Sequence, residues 1–127
     1  MANILIVDDE KNILSSFKKI LKETEHNVFT ASSGEEGLSL LERMPLDLAI
    51  MDINLPGMDG LQVIEKIKAN KKNIPLFYVV TGYQGTDSVT KAKQLDVKFY
   101  LTKPLSPEDI LDKLKDGLIA INKYISK

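Results

Sequence analysis

The sequence contains no cysteine and a single histidine among its 127 residues. Disulfides, thiolate catalysis and a cysteine-based zinc site are therefore excluded. The apolar run at residues 4–7 stops at two aspartates and no basic segment precedes it. A run of this length is too short for a signal peptide or a membrane span, so we expect a cytoplasmic protein without membrane contact.

Long blocks of like charge are also missing. The chain has 17 basic and 18 acidic residues, a net charge of −1, and the pair Lys71-Lys72 is too short for a nucleic-acid patch. We therefore expect no direct contact with nucleic acid. The length and the 43% hydrophobic content fit one globular domain over residues 1–127. The domain is expected to be either a stand-alone protein or a piece of a longer one.

Five short apolar runs, rich in β-branched residues, alternate with helical patterns. The predicted strands lie at residues 4–7, 27–30, 48–51, 76–80 and 98–101. Their length and polar flanks are typical of strands buried on both faces of a parallel sheet. The second run is the least apolar, which indicates an edge strand.

The segments between these runs carry helix signals. The clearest are the capping box Ser33-x-x-Glu36 and Ser106 as N-cap followed by Pro107. A helix within residues 86–95 has the poorest apolar face, and we expect it to be mobile. The alternation of strands and helices predicts a parallel sheet covered on both faces. Right-handed crossovers leave few topologies, and the flavodoxin-like strand order 2-1-3-4-5 is our prediction.

Polar side chains follow four of the predicted strands. Asp8 and Asp9 come after the first, Asp52 after the third, Thr81 after the fourth and Lys103 after the fifth. The carboxyl ends of parallel strands share one edge, and strands one and three are neighbours where the strand order reverses. We therefore expect these side chains to meet in one crevice.

Three carboxylates in one crevice repel one another, which favours a bound cation. All-oxygen ligands suit Mg²⁺, or Mn²⁺ in its place, and such an ion attracts phosphate oxygens. Asp52 is then a plausible nucleophile that forms an aspartyl-phosphate. Lys103 and the Thr81 hydroxyl would contact the phosphoryl oxygens.

Each of these residues also has an ordinary structural explanation. Asp8-Asp9 would serve as a strand end or helix N-cap, Asp52 as a turn former and Lys103 as a surface lysine. Their joint occurrence at strand ends favours the functional interpretation. His26, in the loop before the second strand, is expected to be solvated and not a ligand.

Four stretches carry a family resemblance: ILIVDDE at residues 4–10, MDINLPGMDG at 51–60, VVTG at 79–82 and YLTKP at 100–104. With these stretches in this order, the sequence resembles the receiver domain of two-component response regulators over essentially the whole chain. The resemblance departs at Gly82, where the family usually has alanine.

The resemblance implies roles for individual residues. Asp52 is the phosphoacceptor, Asp9 a direct metal ligand, Asp8 a ligand largely through water, and the Asn54 backbone carbonyl completes the metal site. The phosphoryl group is bound by Thr81 and Lys103. Tyr100, by default a half-buried packing residue, is implied to turn inward on activation. The bond between Lys103 and Pro104 is implied to be cis.

The resemblance also implies partners. The phosphodonor is a phosphohistidine on a sensor histidine kinase or a histidine phosphotransfer protein. The output is a downstream effector protein or a fused output domain, contacted through the fourth and fifth helices and the fifth strand. Dimerisation through that same face is an open alternative. The protein is then no enzyme beyond assisting its own phosphorylation and dephosphorylation.

Three other functions compete with this interpretation. A phosphatase of the haloacid dehalogenase kind fits poorly, because Asp8-x-Glu10 is a weak match to its motif. A flavin- or nucleotide-binding protein would need backbone amides around a phosphate, whereas Asp8-Asp9-Glu10 supplies negative charge. A phosphate-independent interaction module of receiver type stays open.

Overall fold

The structure is a computed structural model that describes residues 2–22, 24–70, 74–82, 90–91, 93–95, 97, 99–104 and 106–120. Five strands form one parallel sheet: β1 (Asn3–Val7), β2 (Asn27–Ala31), β3 (Leu48–Asp52), β4 (Leu76–Thr81) and β5 (Phe99–Thr102). Their order is β2-β1-β3-β4-β5, which confirms the predicted topology. Strand β2 lies at an edge and is largely half-buried, as its low apolar content predicted.

The helices are α1 (Lys11–Leu21), α2 (Gly34–Arg43), α3 (Gly60–Asn70) and a C-terminal helix (Pro107–Ala120). The predicted fourth helix falls within residues 86–95, of which 86–89 and 92 lie outside the described residues. Residues 90–91 and 93–94 are helical. Within the described part of the chain, no helix combines the length and the apolar content that crossing a membrane requires.

The helix starts follow local capping signals. The Glu36 N–H donates to the Ser33 Oγ at 3.1 Å, and the Asp109 N–H donates to the Ser106 Oγ at 3.1 Å, as predicted. Helix α3 begins with a reciprocal pair that the sequence analysis missed. The Gln62 N–H donates to the Asp59 Oδ1 and the Asp59 N–H to the Gln62 Oε1, both at 2.9 Å.

Alternate side chains of the sheet enter two separate hydrophobic clusters, because successive residues of a strand point to opposite faces. Leu5 and Met51 belong to the cluster that includes residues of α2 and α3. Ile4 and Ile50 belong to the cluster that includes residues of α1 and the C-terminal helix. The sheet is therefore covered by helices on both faces. The edge formed by the carboxyl ends of the strands is lined by loops.

The expectation that His26 is solvated is wrong. His26 is half-buried, and its Nδ1 accepts a hydrogen bond from the Ala2 N–H at 3.0 Å. The contact arises because Asn3 and Asn27 pair where β1 and β2 begin. Burial lowers the pKa of His26, which keeps the imidazole neutral and able to accept this bond. His26 is a structural residue that ties the start of the chain to β2.

Tyr78, on the interior strand β4, is fully buried and reaches the C-terminal helix. Its hydroxyl donates to the Lys113 carbonyl, and its ring stacks on Phe99 with centroids 4.8 Å apart. Burial, with the negative charge of Asp116, raises the pKa of Tyr78 to about 12, so the hydroxyl stays protonated. Gly117 permits this close approach, since a Cβ there would lie 2.7 Å from the Tyr78 hydroxyl oxygen.

We expect Gly117→Ala to destabilise the protein, although glycine to alanine inside a helix ordinarily gains about 1 kcal/mol. The new methyl group would overlap the buried Tyr78 ring, and overpacking of this kind costs about 1–3 kcal/mol. Urea unfolding of Gly117→Ala, alone and in the Tyr78→Phe background, measures the effect. Removing the hydroxyl relieves the shortest contact, so the cost should be smaller in that background. Equal costs in both backgrounds would contradict this explanation.

Candidate functional site

The four strand ends that carry polar residues meet at one edge of the sheet. Asp8 directly follows β1, Asp52 ends β3, Thr81 ends β4 and Lys103 directly follows β5. Strand β3 lies between β1 and β4, and β4 pairs with β5 up to Thr81 opposite Thr102. The topology thus brings residues from four strand ends to one edge of the sheet, as the sequence analysis expected. The side chains of Asp8, Asp52 and Lys103 meet there.

Lys103 is the centre of this crevice. Its Nζ lies 2.9 Å from the Asp52 Oδ2, 3.2 Å from the Asp8 Oδ2 and 3.3 Å from the Glu10 Oε1. Asp8 and Asp52 are only 2% and 1% exposed. Buried carboxylates at these positions require a paired cation, and the ammonium group provides it.

The electrostatics of the crevice follow from burial and from this pairing. Burial raises the pKa of Asp8, and the negative charge of Asp52 raises it further. The hydrogen bond from the Glu10 N–H and the nearby Lys103 ammonium both lower this pKa, but they do not outweigh burial. For Lys103, burial disfavours the charged form. The hydrogen bond and charge of Asp52, and then those of Asp8, outweigh burial and raise the pKa of Lys103 above its ordinary value. The ammonium therefore stays charged at neutral pH.

The Asp52 carboxylate is held on both of its oxygens. The Asn54 N–H donates to the Oδ1 at 2.8 Å, and the Lys103 ammonium donates to the Oδ2 at 2.9 Å. Gly60, the first residue of α3, packs against the Asp52 backbone, where a Cβ would lie 2.5 Å from the carbonyl oxygen. The Asp52 side chain is thus held by Asn54 and Lys103, and its backbone packs against Gly60.

A group of carboxylates beside Lys103 has the composition of a cation site. One oxygen from each of Asp8, Asp9 and Glu10 lies within 4.8 Å of the other two. Asp8 is buried, whereas Asp9 and Glu10 are exposed. Hard, anionic oxygen donors on one open side suit Mg²⁺ and do not suit zinc or copper. The residues present therefore fit the ion that the sequence predicted, with Asp52 joined to this group through Lys103.

Glu10 is a member of the site to which the sequence analysis gave no role. Its carboxylate lies near Lys103, and its backbone N–H donates to the Asp8 Oδ1 at 2.9 Å. The available signal was its position directly after Asp8-Asp9, in the loop that leads from β1 to α1. Its side chain is 59% exposed, so its ion pair with Lys103 contributes little stability.

The remaining predicted residues are Thr81, Tyr100 and the peptide bond between Lys103 and Pro104. The backbone of Thr81 ends β4, and its side chain lies outside the described part of the structure. Tyr100 is half-buried, packs against the hydrophobic cluster that contains Leu5, and donates from its hydroxyl to the Val97 carbonyl at 3.1 Å. The peptide bond between Lys103 and Pro104 is cis, the isomer that the resemblance implied.

Comparison with known proteins identifies the family of this chain. The family model described as response regulator receiver domain matches residues 4–115. The chain therefore belongs to the response regulator receiver domain family. It is a receiver domain of two-component signalling, which is a signalling module and not a catalytic enzyme.

The response regulator SaeR of Staphylococcus aureus (strain USA300) is 31% identical over 124 residues, which cover 98% of this chain and 54% of SaeR. The chain thus spans about half the length of the curated relatives it matches. Among solved structures, a CheY-like receiver domain protein from Methanospirillum hungatei JF-1 is similar at 35% identity and a TM-score of 0.88, with 97% of this chain and 98% of that chain covered. The BeF3 activated DrrB receiver domain is 28% identical with a TM-score of 0.80, covering 94% and 98%.

Proposed function

We propose that this protein is a phosphorylation-dependent switch that accepts a phosphoryl group on Asp52 with the help of Mg²⁺. The observation that carries the proposal is the environment of the Asp52 carboxylate, which is buried, contacted by the Lys103 ammonium at 2.9 Å and oriented by the Asn54 N–H at 2.8 Å. A carboxylate held in this way presents an oxygen in one orientation to an incoming phosphorus atom.

The proposed step is a transfer from a phosphohistidine of a sensor histidine kinase or a histidine phosphotransfer protein. A lone pair of an Asp52 carboxylate oxygen forms the new O–P bond while the P–N bond of the donor breaks. The electron pair of that bond returns to the imidazole nitrogen, which then takes up a proton. Lys103 is proposed to move its hydrogen bond from the carboxylate to a phosphoryl oxygen, and Thr81 is proposed to donate to another.

The residues proposed to hold the cation are Asp9 directly, Asp8 through water, Asp52 and the backbone carbonyl of Asn54. When bound, Mg²⁺ supplies positive charge that offsets the negative charge of the phosphoryl oxygens. Asp8 is buried directly after β1, and Asp9 beside it is exposed, so we propose that this pair of carboxylates attracts the ion. The carboxylate group described above supports this assignment.

The proposed output is a change of surface. The acyl phosphate on Asp52 draws Thr81 inward, and Tyr100 follows into the released space, giving up its hydrogen bond to the Val97 carbonyl. The face that changes includes β5 and the C-terminal helix. It would act on a downstream effector protein or on a fused output domain. The twofold greater length of the curated relatives supports a fused domain as one such target.

Intact-mass spectrometry after incubation with acetyl phosphate tests the chemistry. We expect one phosphoryl adduct on the wild type with Mg²⁺, none when the metal is chelated, and none on Asp52→Asn. Asp112→Asn, which changes an exposed aspartate of the C-terminal helix, serves as the matched control and should take the adduct normally. An adduct on Asp52→Asn contradicts the assignment. A wild type that takes no phosphoryl group from acetyl phosphate or from a phosphohistidine donor is a phosphate-independent module.

The switching part of the proposal is tested on the same proteins with BeF3, because the similar DrrB receiver domain is BeF3 activated. Adding BeF3 and Mg²⁺ should shift the amide resonances of β5 and of the C-terminal helix in the wild type. In Thr81→Ala these distant shifts should be lost while those beside Asp52 remain. Distant shifts that survive in Thr81→Ala would rule out the coupling through this threonine.

A further inference from the structure

The loop of residues 53–59, between β3 and α3, carries Asn54 and is held at both of its ends. At its start, the Ile53 N–H donates to the Val80 carbonyl at 3.1 Å and the Asn54 N–H donates to Asp52. At its end, Asp59 exchanges hydrogen bonds with Gln62. Between these ends, Leu55 is buried, whereas Pro56 and Gly57 are exposed.

A further contact to this loop comes from the first turn of α2. The Glu35 Oε1 accepts a hydrogen bond from the Met58 N–H at 3.1 Å, across 23 positions of sequence. Glu35 is exposed, and the Ser33 cap fixes the start of the helix that presents it. A hydrogen bond to a carboxylate is stronger than one between neutral groups, and an acidic residue is favoured in the first helical turn.

Glycines on both sides make this contact close. A Cβ on Gly34 would lie only 2.1 Å from the Met58 carbonyl oxygen, so the start of α2 packs directly on the loop backbone. Gly57 has φ +73°, a left-handed conformation that glycine adopts readily, and a Cβ there would lie 3.3 Å from the Glu35 Oε1. The loop is thus shaped to receive the Glu35 carboxylate.

We propose that Glu35 is a positioning residue for the cation site. By holding the Met58 N–H, it keeps the loop in the shape that brings the Asn54 carbonyl to the metal, without contacting the metal or the phosphoryl group itself. This inference rests on the proposed function, because it assumes the same Mg²⁺ site. It adds a residue of α2, a helix that supplies no ligand, to the set that determines the affinity for the ion.

The physical reason is preorganisation. A ligand on an unrestrained loop must be ordered when the ion binds, and the free energy of ordering is subtracted from the affinity. Residues that orient metal ligands from outside the ligand set commonly change metal affinity by about 10- to 100-fold when they are removed. A single exposed contact should lie at the lower end of that range.

Isothermal titration with Mg²⁺ tests the proposal on the full chain. We expect Glu35→Ala to bind Mg²⁺ about tenfold more weakly than the wild type. Glu35→Gln, whose side-chain oxygen accepts the same hydrogen bond, should bind close to wild type. Glu36→Ala removes the same charge one residue further along, and should also bind close to wild type. The Met58 amide should exchange its hydrogen faster in Glu35→Ala than in the other proteins, even without metal.

The outcomes separate this inference from the proposed function. If the wild type binds Mg²⁺ and Glu35→Ala binds it as tightly as Glu36→Ala does, the positioning role is wrong and the cation site stands. Weakening in Glu35→Gln and Glu36→Ala equal to that in Glu35→Ala would show a charge effect, and would also overturn the positioning role. If the wild type binds no Mg²⁺, the proposed cation site itself falls, and the inference with it.

Discussion

Lys103→Met is expected to lower the free energy of unfolding by about 3 kcal/mol near neutral pH when divalent cations are absent. The ammonium is the cation that lies between the Asp8 and Asp52 carboxylates, at 3.2 and 2.9 Å. Methionine keeps much of the length and apolar packing of the lysine stem but removes its charge. Two buried carboxylates are then left without a partner, which is among the costliest single changes in a protein interior.

The cost should depend on pH in a defined direction. Burial and the charge of Asp52 raise the pKa of Asp8, and loss of the Lys103 ammonium would raise that pKa further. A carboxyl group with a raised pKa in the folded state destabilises the protein above that pKa, and the penalty disappears as the pH falls below the ordinary value of 3.8. The stability difference between the wild type and Lys103→Met should therefore narrow on acidification.

The difference should also narrow at strongly alkaline pH. The pKa of Lys103 is raised in the folded state, so its stabilising contribution is complete below the ordinary value of 10.5 and is lost as the pH rises through the folded value. Saturating Mg²⁺ should restore more stability to Lys103→Met than it adds to the wild type, because the ion takes over the neutralising role.

Urea unfolding with and without Mg²⁺, over a pH series, measures these effects. Lys103→Arg is the matched control, since it keeps a positive charge at the same position and should lose much less stability. A Lys103→Met protein as stable as the wild type at neutral pH without metal would show that the carboxylates do not need this ammonium. In that case the site is less desolvated than its burial indicates.

Gly34→Ala is expected to cost about 3 kcal/mol of stability, the upper part of the usual range for overpacking. The new Cβ would lie 2.1 Å from the Met58 carbonyl oxygen and 3.0 Å from the carbonyl carbon, and both atoms belong to the backbone. Backbone atoms cannot rotate away as a side chain does, so α2 and the loop of residues 53–59 must move apart. The better helix propensity of alanine offsets only about 1 kcal/mol of this cost.

Gly82→Ala provides the matched control. Among the residues that the structure describes, a Cβ at Gly82 would meet the Cβ and Cδ of Lys103, both at 3.8 Å, which is an ordinary van der Waals distance. We expect its stability to lie within about 0.5 kcal/mol of the wild type. Thermal unfolding of the two variants separates close approach from the general effect of replacing glycine. Equal stability of the two variants would mean that the junction of α2 and the loop yields without strain.

The sheet and its functional edge were predictable because local patterns and a few general rules determine them. Short apolar runs give the strands, each within one residue of the observed limits. Right-handed crossovers leave few topologies, and the predicted flavodoxin-like order 2-1-3-4-5 is the observed one. Once the order is known, the residues after the strand ends must share an edge. That argument predicts that Asp8, Asp52 and Lys103 lie together, and the structure shows that they do.

The contacts between elements were not predictable in the same way. Glu10 reaching Lys103 and Glu35 reaching Met58 join residues 93 and 23 positions apart. Hydrophobic periodicity and capping signals do not predict such contacts, because each contact depends on how closely two elements pack. His26 shows the same limit, because only the pairing of β1 with β2 brings its ring to the Ala2 N–H.

The sequence by itself therefore determined the architecture, the edge that carries the chemistry and the residue types gathered there. The reason is that strand length, helix capping and crossover handedness are properties of short segments. Only the tertiary structure decided that Lys103 neutralises Asp8 and Asp52 together, that Tyr78 needs Gly117, and that α2 holds the loop carrying Asn54. These contacts depend on distances of a few ångströms between elements, and close packing sets those distances for the whole domain at once.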